Sequence, residues 1–323
     1  MTSDESIVRI LRERGGWVSG EAIAEALGVS RAAVGKHMGA LRTRGWRVAA
    51  RRRVGYRLDG APDLLEGAVV EPLLETRWLG RQWHWHDEVG STNDEARALA
   101  EAGAPHGAVV VAEAQTRGRG RLGRAWHSPP RAGLHLSALL RPTIAPGEAP
   151  PITLAAGLAV AEAVEGSGLP DVRLKWPNDV RAGGRKLAGI LTELAAEADR
   201  IRFLVVGIGV NVNTESFPVE LDESATSLRL ALGRPVDRAI FTADLCRRLE
   251  RWVDLFLADG AAPILAAFRA RAELGRPVRV DTGTRVVDGV SEDVDDAGAL
   301  LVRTPDGAIV RVTSGDVIGS NRP

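Results

Sequence analysis

The 323-residue chain holds one cysteine, one tyrosine and, among forty-two basic residues, only three lysines. Cys246 has no partner for an internal disulfide. Its helical context, TADLCRRLERWVDLF, makes it a buried structural thiol rather than a nucleophile, so redox chemistry and cysteine–metal sites drop out. Aromatics are 4% of the chain, which leaves the core to aliphatic side chains. No run approaches the ~18 apolar residues of a membrane span. The N-terminus, MTSDESIVRILRERGG, is acidic and then amphipathic with spread arginines, which is neither a signal nor a transit peptide. The expected setting is cytoplasmic, with no membrane partner. Where arginine is so favoured, Lys36, Lys175 and Lys186 become candidates for work that suits an ammonium and not a planar guanidinium.

Apolar residues make up 45% and charged residues 26% of a length that exceeds what one core usually organises, so two or three domains are expected. Net charge is zero overall, yet residues 1–60 hold twelve Arg and Lys against six Asp and Glu, a net +6 that leaves −6 for the rest. Such asymmetry points the N-terminal part toward a polyanion. Helical spacing of Ile7, Val8, Ile10 and Leu11, a second helix over 21–27, a turn at Gly28 and a third helix over 31–44 form a helix-turn-helix pattern. WRVAA and GYRLD follow as strands of a hairpin wing with Arg51, Arg52 and Arg53 at its tip. The stretch DGAPDL (59–64) interrupts both periodicities and reads as a linker. Strands and helices then alternate irregularly to about 273, implying an α+β or mixed-sheet domain, and short strands with tight turns from Arg276 onward imply a small barrel. The expected domains are 1–62, 65–273 and 274–323.

The most conspicuous segment is QTRGRGRLGRAW (115–126). Gly118, Gly120 and Gly123 match G-x-G-x-x-G, but Ser128-Pro129-Pro130 follows where a dinucleotide site needs a helix, so that reading fails on context. What remains is a mobile loop in which Arg117, Arg119, Arg121 and Arg124 alternate with glycine, suited to closing around a triphosphate or acyl phosphate, or else a solvated surface loop. Trp126 favours the ligand reading, because an aromatic beyond such a loop stacks on a base or covers an apolar ligand. In LKWPND (174–179) Lys175 ends a strand, where its charge suits a carboxylate or the phosphate formed on it; ordinary turn chemistry explains Asn178-Asp179 equally well. RKLAGI (185–190) and GIGVNVN (207–213) offer Gly189 and Gly207 either as packing glycines or as backbone that a ligand can approach. Ser91, Thr92 and Asn93 stand at a helix start, where capping is the simpler expectation and a polar ligand head the alternative. His84 and His86 read as strand residues, since two histidines without a third ligand make no metal site; His127 and His135 flank the loop without a visible Ser or Cys partner.

Taken together and in this order, S-T-N, G-R-G-R-x-G-R-x-W, K-W-P-N-D, K-L-A-G-I-L and G-I-G-x-N-x-N resemble the catalytic domain of biotin–protein ligases. With the helix-turn-helix in front, the whole chain resembles the bifunctional bacterial form, a ligase that also represses biotin synthesis. Leu122 departs from the pattern, standing where an arginine is common. The resemblance implies a class II synthetase-like central domain and an SH3-like C-terminal barrel. It implies a two-step reaction, in which biotin and ATP, accompanied by Mg2+, give biotinyl-5′-AMP, and a lysine of a biotin carboxyl carrier protein takes the biotinyl group. It also implies roles. Ser91, Thr92, Asn93, Gln115, Arg119, Gly120, Arg121, Lys175, Gly189 and Gly207 would line the biotin site. Arg121, Arg124, Trp126, Lys175, Asn178 and Asn211 would meet the nucleotide. Lys175, Arg121 and Arg119 would be catalytic, with no protein-held metal.

For the N-terminal module, Ser30, Arg31 and Lys36 lie near the start of the third helix, where a recognition helix meets base edges, and Arg51 to Arg53 reach for phosphates. Operator DNA read as half-sites needs two copies, and the resemblance implies a homodimer promoted by biotinyl-5′-AMP. A ligase with a DNA-silent N-terminal domain and a ligand-sensing transcription factor without turnover are the competing readings.

Overall fold

The computed structural model describes residues 3–197 and 199–319; the outermost residues of the expected first and third domains, 1–2 and 320–323, lie outside them. Helix α1 (Ser3–Arg14) buries Ile7, Val8 and Leu11, three of the four apolar positions of its periodic stripe. Helix α2 (Gly20–Leu27) starts at Ser19, whose Oγ accepts from Ala22 N at 3.0 Å, and ends at Gly28 with φ 65°, a conformation glycine adopts without a Cβ clash. Ser30 caps α3 (Arg31–Thr43) in the same way, and α3 buries Val34, Met38 and Leu41 against the other two helices. Strands β1 (Arg47–Arg51) and β2 (Gly55–Gly60) form the antiparallel hairpin wing.

A short helix α4 (Gly67–Val70) leads into a seven-stranded mixed sheet. Its strands are β3 (Trp83–Val89), β4 (Val109–Gln115), β5 (Leu134–Leu140), β6 (Arg173–Lys175), β7 (Asp179–Ala182), β8 (Arg185–Glu197) and β9 (Arg200–Val210), in the order β3-β4-β5-β9-β8-β7-β6. Only β3 and β4 run parallel, because α5 (Thr92–Glu101) provides the crossover; the other neighbours are antiparallel. The period of two along β5 divides the core. Leu134, Leu136 and Ala138 join the cluster with α6 (Pro150–Gly166), whereas Leu139 packs with Val110, Phe203, Val205 and the alanines of α5. Helix α5 covers only one end of that second face. Its first residues, Thr92 and Asn93, reach as far as Ser137 and Gly207, and the next row, with Gly209, is left to the arginine loop.

After β9 come α7 (Val219–Asp222) and α8 (Leu228–Leu232), then α9 (Arg238–Asp259) and α10 (Ala262–Arg271). Cys246 is wholly buried in α9, and burial pushes its thiol up to about 12, so it is inert as expected. The C-terminal unit is an antiparallel five-stranded sheet of β10 (Pro277–Asp281), β11 (Val286–Val294), β12 (Leu300–Arg303), β13 (Ile309–Val312) and β14 (Asp316–Gly319), ordered β13-β12-β11-β10-β14.

The linker is tied down more firmly than its composition indicates. Arg238, fully buried, donates to Asp63 Oδ1 (2.8 Å), to the Asp63 carbonyl (2.7 Å), to Glu113 Oε2 (2.8 Å) and to the Gly133 carbonyl (3.1 Å). Glu113 completes the set by accepting from Leu65 N at 2.7 Å and Trp85 Nε1 at 3.0 Å. A buried charge is tolerated only when its donors and acceptors are matched in this way.

Candidate active site

Cross-strand pairing places one row of residues on the loop-covered face: His135 of β5 opposite Gly209 of β9, Gly209 opposite Gly189 of β8, Gly189 opposite Asp179 of β7, and Asp179 opposite Lys175 of β6. At a strand spacing of ~4.8 Å the row runs about 19 Å, which makes a shallow trough floored by two glycines. The Trp126 indole lies in it. A Cβ on Gly209 would stand 2.6 Å from Trp126 Cε2, so that glycine is required for the indole to reach the sheet, and one on Gly189 would stand 3.2 Å from Trp126 Cζ3, a tight contact. Gly207, by contrast, is a packing glycine, because a Cβ there would collide with the Asn93 amide. Asn93 is buried and bonds Ser137 Oγ (2.7 Å), Glu193 Oε2 (2.9 Å) and the Leu191 carbonyl (3.2 Å). These two residues hold α5 to the sheet.

The start of α5 overturns the capping expectation. Ser91 occupies the cap position, yet its side chain makes no cap bond. Thr92 instead receives Gln115: Gln115 Oε1 accepts from Thr92 N at 2.9 Å and from Thr92 Oγ1 at 3.2 Å, and Ser137 Oγ donates to Thr92 Oγ1 at 2.8 Å. Ser91, Thr92, Gln115 and Ser137 thus gather polar atoms at the trough's edge.

The arginine segment is a closed hairpin, with the chain extended beyond Gly123 where a dinucleotide loop would begin a helix. Trp126 N donates to Gly118 O at 2.9 Å and Gly120 N to Arg124 O at 2.7 Å. Leu122, at φ 56°, projects from the tip with 72% of its surface exposed. Arg119 binds both Asp94 oxygens (2.8 and 2.7 Å) and Glu193 (3.1 Å), which makes it the strap that holds the hairpin to α5 and β8. The same bonds hold the Asp94 carboxyl below its usual range. Arg121 is half-buried and donates to Ser314 Oγ (3.4 Å) and the Gly315 carbonyl (3.2 Å), while its Nε has no partner; Arg124 pairs with Asp316. Burial pulls the Arg121 pKa down, against the pull of Asp316 and Asp179.

Lys175 reaches the same C-terminal segment from the other side, donating to Val317 O at 2.6 Å. Burial lowers its pKa, with the neighbouring Asp179 opposing the shift. Arg121, Arg124 and Lys175 therefore meet on four consecutive residues, Ser314 to Val317. A cavity of about 240 Å³ adjoins them, lined by Gly120, Arg121, Trp126, Asn178, Lys186 and Asn211 among others. Asn178 and Asn211 face it with their amides already committed, to Ile190 O (2.9 Å) and Thr226 O (3.0 Å) respectively, so they shape the wall. Sequence reasoning marked Lys186 as a candidate but gave it no place in the site; it pairs with Asp179 at 2.6 Å and lies 5.5 Å from the Trp126 ring centre. The scarcity of lysine was the available signal. Phe217, from a loop after β9, and Asp316, at the start of β14, had none.

In the N-terminal module Ser30 Oγ is engaged as the α3 cap, while Arg31 shares a depression with Arg51, Arg52 and Arg53 of the wing. These four and Lys36 are exposed and form no ion pair among the described residues.

Comparison with known proteins finds relatives of all three parts of the chain. Residues 88–213 match the biotin/lipoate A/B protein ligase family, 274–318 the biotin protein ligase C-terminal domain and 4–57 a helix-turn-helix domain. The chain is 38% identical to the bifunctional ligase/repressor BirA of Bacillus subtilis over 98% of both chains. It is 42% identical to the biotin–[acetyl-CoA-carboxylase] ligase of Mycobacterium tuberculosis over 79% of this chain and 97% of that one. Among solved structures, the Aquifex aeolicus biotin protein ligase in complex with biotin and ATP superimposes with a TM-score of 0.64 at 32% identity, covering 74% of this chain and 98% of that one. The chain therefore belongs to the biotin protein ligases, in the group that carries a helix-turn-helix module ahead of the ligase domain.

Proposed function

We propose that this chain activates biotin with ATP and transfers it to a lysine of a biotin carboxyl carrier protein, and that its first sixty-two residues bind operator DNA. The observation that carries the ligase reading is the meeting of Arg121, Arg124 and Lys175 on Ser314–Val317 at the end of the glycine-floored trough. In the first step a biotin carboxylate oxygen bonds to the α-phosphorus of ATP, the α–β bridge breaks, and pyrophosphate leaves with its electrons. In the second the carrier lysine's amine attacks the acyl carbon, the C–O bond to AMP breaks, and the amine loses a proton. Ser91, Thr92 and Gln115 suit a polar ring head. Lys175 suits the charge that gathers as pyrophosphate leaves, in a site where few waters compete.

Mg2+ would accompany ATP, held mainly by its phosphates and water. Arg119, saturated by carboxylates, acts through the loop it straps down. The division 1–62, 65–273 and 274–323 follows the same reading, with DNA contacts from Arg31, Lys36 and Arg51 to Arg53. Two such modules in a homodimer promoted by biotinyl-5′-AMP would match two half-sites and couple ligand to DNA affinity.

Incubating the full chain with biotin, ATP and a carrier domain tests the ligase reading: the carrier gains the mass of one biotinyl group, and lipoate in place of biotin leaves it unmodified. No mass gain removes the reading. A gel shift on biotin-gene promoter DNA with and without biotin and ATP tests the second half; absence of a salt-sensitive shift in both leaves the module without a DNA role.

A further inference from the structure

Three polar atoms in the trough lack partners. Both ring nitrogens of His135 and the Nε1 of Trp126 are buried and make no hydrogen bond. His135 is 2% exposed, and buried native polar groups are nearly always paired, so two orphaned nitrogens on one ring call for a missing partner. The ring belongs to the loop-covered face: His135 pairs across strands with Gly209, the residue beneath the indole, and stands two positions before Ser137, which bonds Thr92. It closes the end of the row opposite Lys175. Burial, reinforced by Arg238 and His127, pushes its pKa down to about 3, so at neutral pH it is an uncharged ring with one donor and one acceptor.

From this placement we infer that His135 is a specificity-determining residue of the acyl-ligand site, its imidazole hydrogen-bonding the polar ring of the bound acid at the end of the trough opposite Lys175. The inference rests on the ligase reading above and adds to it a discriminator. The polar cluster and His135 share one end of the trough, so the ring head of an elongated acid binds there and its carboxylate end points along the row toward Lys175. A site built around a hydrogen-bonding head rejects an acid whose ring has no N–H or C=O, because the imidazole is then left buried and unpaired. A cyclic urea satisfies it and a dithiolane does not.

Full-length chain labelled with ¹⁵N-histidine, with His135 assigned by the signals lost in His135→Asn, is titrated with biotin. One ring nitrogen of His135 shifts by several ppm, as a new hydrogen bond requires; binding of biotin with both nitrogens unmoved overturns the inference and leaves the ligase reading intact. In biotin-dependent pyrophosphate release, His135→Phe raises the biotin KM about tenfold or more with kcat within about twofold, the pattern of a lost binding contact. His135→Asn, which keeps a donor and an acceptor near the Nδ1 position, or His135→Gln near Nε2, recovers most of the loss. An unchanged KM in His135→Phe overturns the inference. If that variant does not fold, the wild-type titration decides alone. Failure of the wild-type chain to bind or activate biotin sinks the ligase reading itself.

Discussion

Two groups of arginines in one chain are held in opposite ways. Arg31 and Arg51 to Arg53 stand exposed with no ion-pair partner among the described residues, whereas Arg119, Arg121 and Arg124 are each bonded to the protein. The difference matches two kinds of anion. A polyphosphate duplex is long, and releasing its counterions needs many solvated cations whose exact pose matters little. A single small acyl phosphate needs few cations at fixed positions, and the protein supplies stand-ins: a carboxylate at Arg124, a carbonyl at Arg121, another carbonyl at Lys175. Occupied groups must change partners when a ligand arrives; free ones need not.

The sharpest way to break this contrast is Lys175→Ala. Removing a preorganised charge from a desolvated site is expected to cut pyrophosphate release from biotin and ATP by about 10²–10³-fold, and a rate near wild type would end its catalytic assignment. Second comes the wing. Replacing Arg51, Arg52 and Arg53 by alanine is expected to reduce the magnitude of the salt-dependence slope of promoter binding by about 2.7 per bound module and to weaken binding about 10²-fold per module near 0.15 M salt, with biotin activation untouched. Equal salt slopes in both proteins would place the wing away from phosphate. Third, Arg121→Gly removes a bonded loop arginine while leaving the Arg119 strap. Adenylation continues but biotinyl-5′-AMP escapes, and free adenylate measured in the supernatant rises severalfold; its absence would deny the hairpin a retaining role.

The sequence exposed the helix-turn-helix, the wing, the mixed sheet and the key cations because each leaves a local mark: apolar period, turn glycines, or an ammonium where guanidinium prevails. It misplaced residues whose task depends on what faces them. Gly207 and Gly189 read alike, yet one accommodates Asn93 and the other Trp126. Ser30 and Ser91 both stand at helix starts, yet only the Ser30 side chain makes the cap bond. Asp316 and Ser314 were invisible as site residues, since they come to the loop from nearly two hundred positions along the chain and carry no motif of their own. The linker, with its Gly and Pro, looked free until Arg238, 175 residues away in sequence, was seen to bind Asp63.

The smallest expected effect separates the buried trough from the solvated wing by pH alone. His135 holds a pKa of about 3 in the folded chain, chiefly because burial excludes its charged form, against about 6.5 when unfolded. A histidine shifted this way takes up its proton only on unfolding. Its effect on stability is therefore absent above about pH 6.5 and destabilising below it, by about 1.4 kcal/mol per pH unit until the folded group itself titrates. Between pH 7 and pH 5.5 His135 alone costs the central domain a little over 1 kcal/mol. His84 and His106, also shifted down by burial, add to the wild-type slope and persist when His135 is replaced. Urea unfolding at the two pH values is thus expected to show a smaller loss in His135→Phe than in wild type, while Arg52→Ala loses as much as wild type does. Identical losses in His135→Phe and wild type would mean that the ring is not kept neutral by its surroundings.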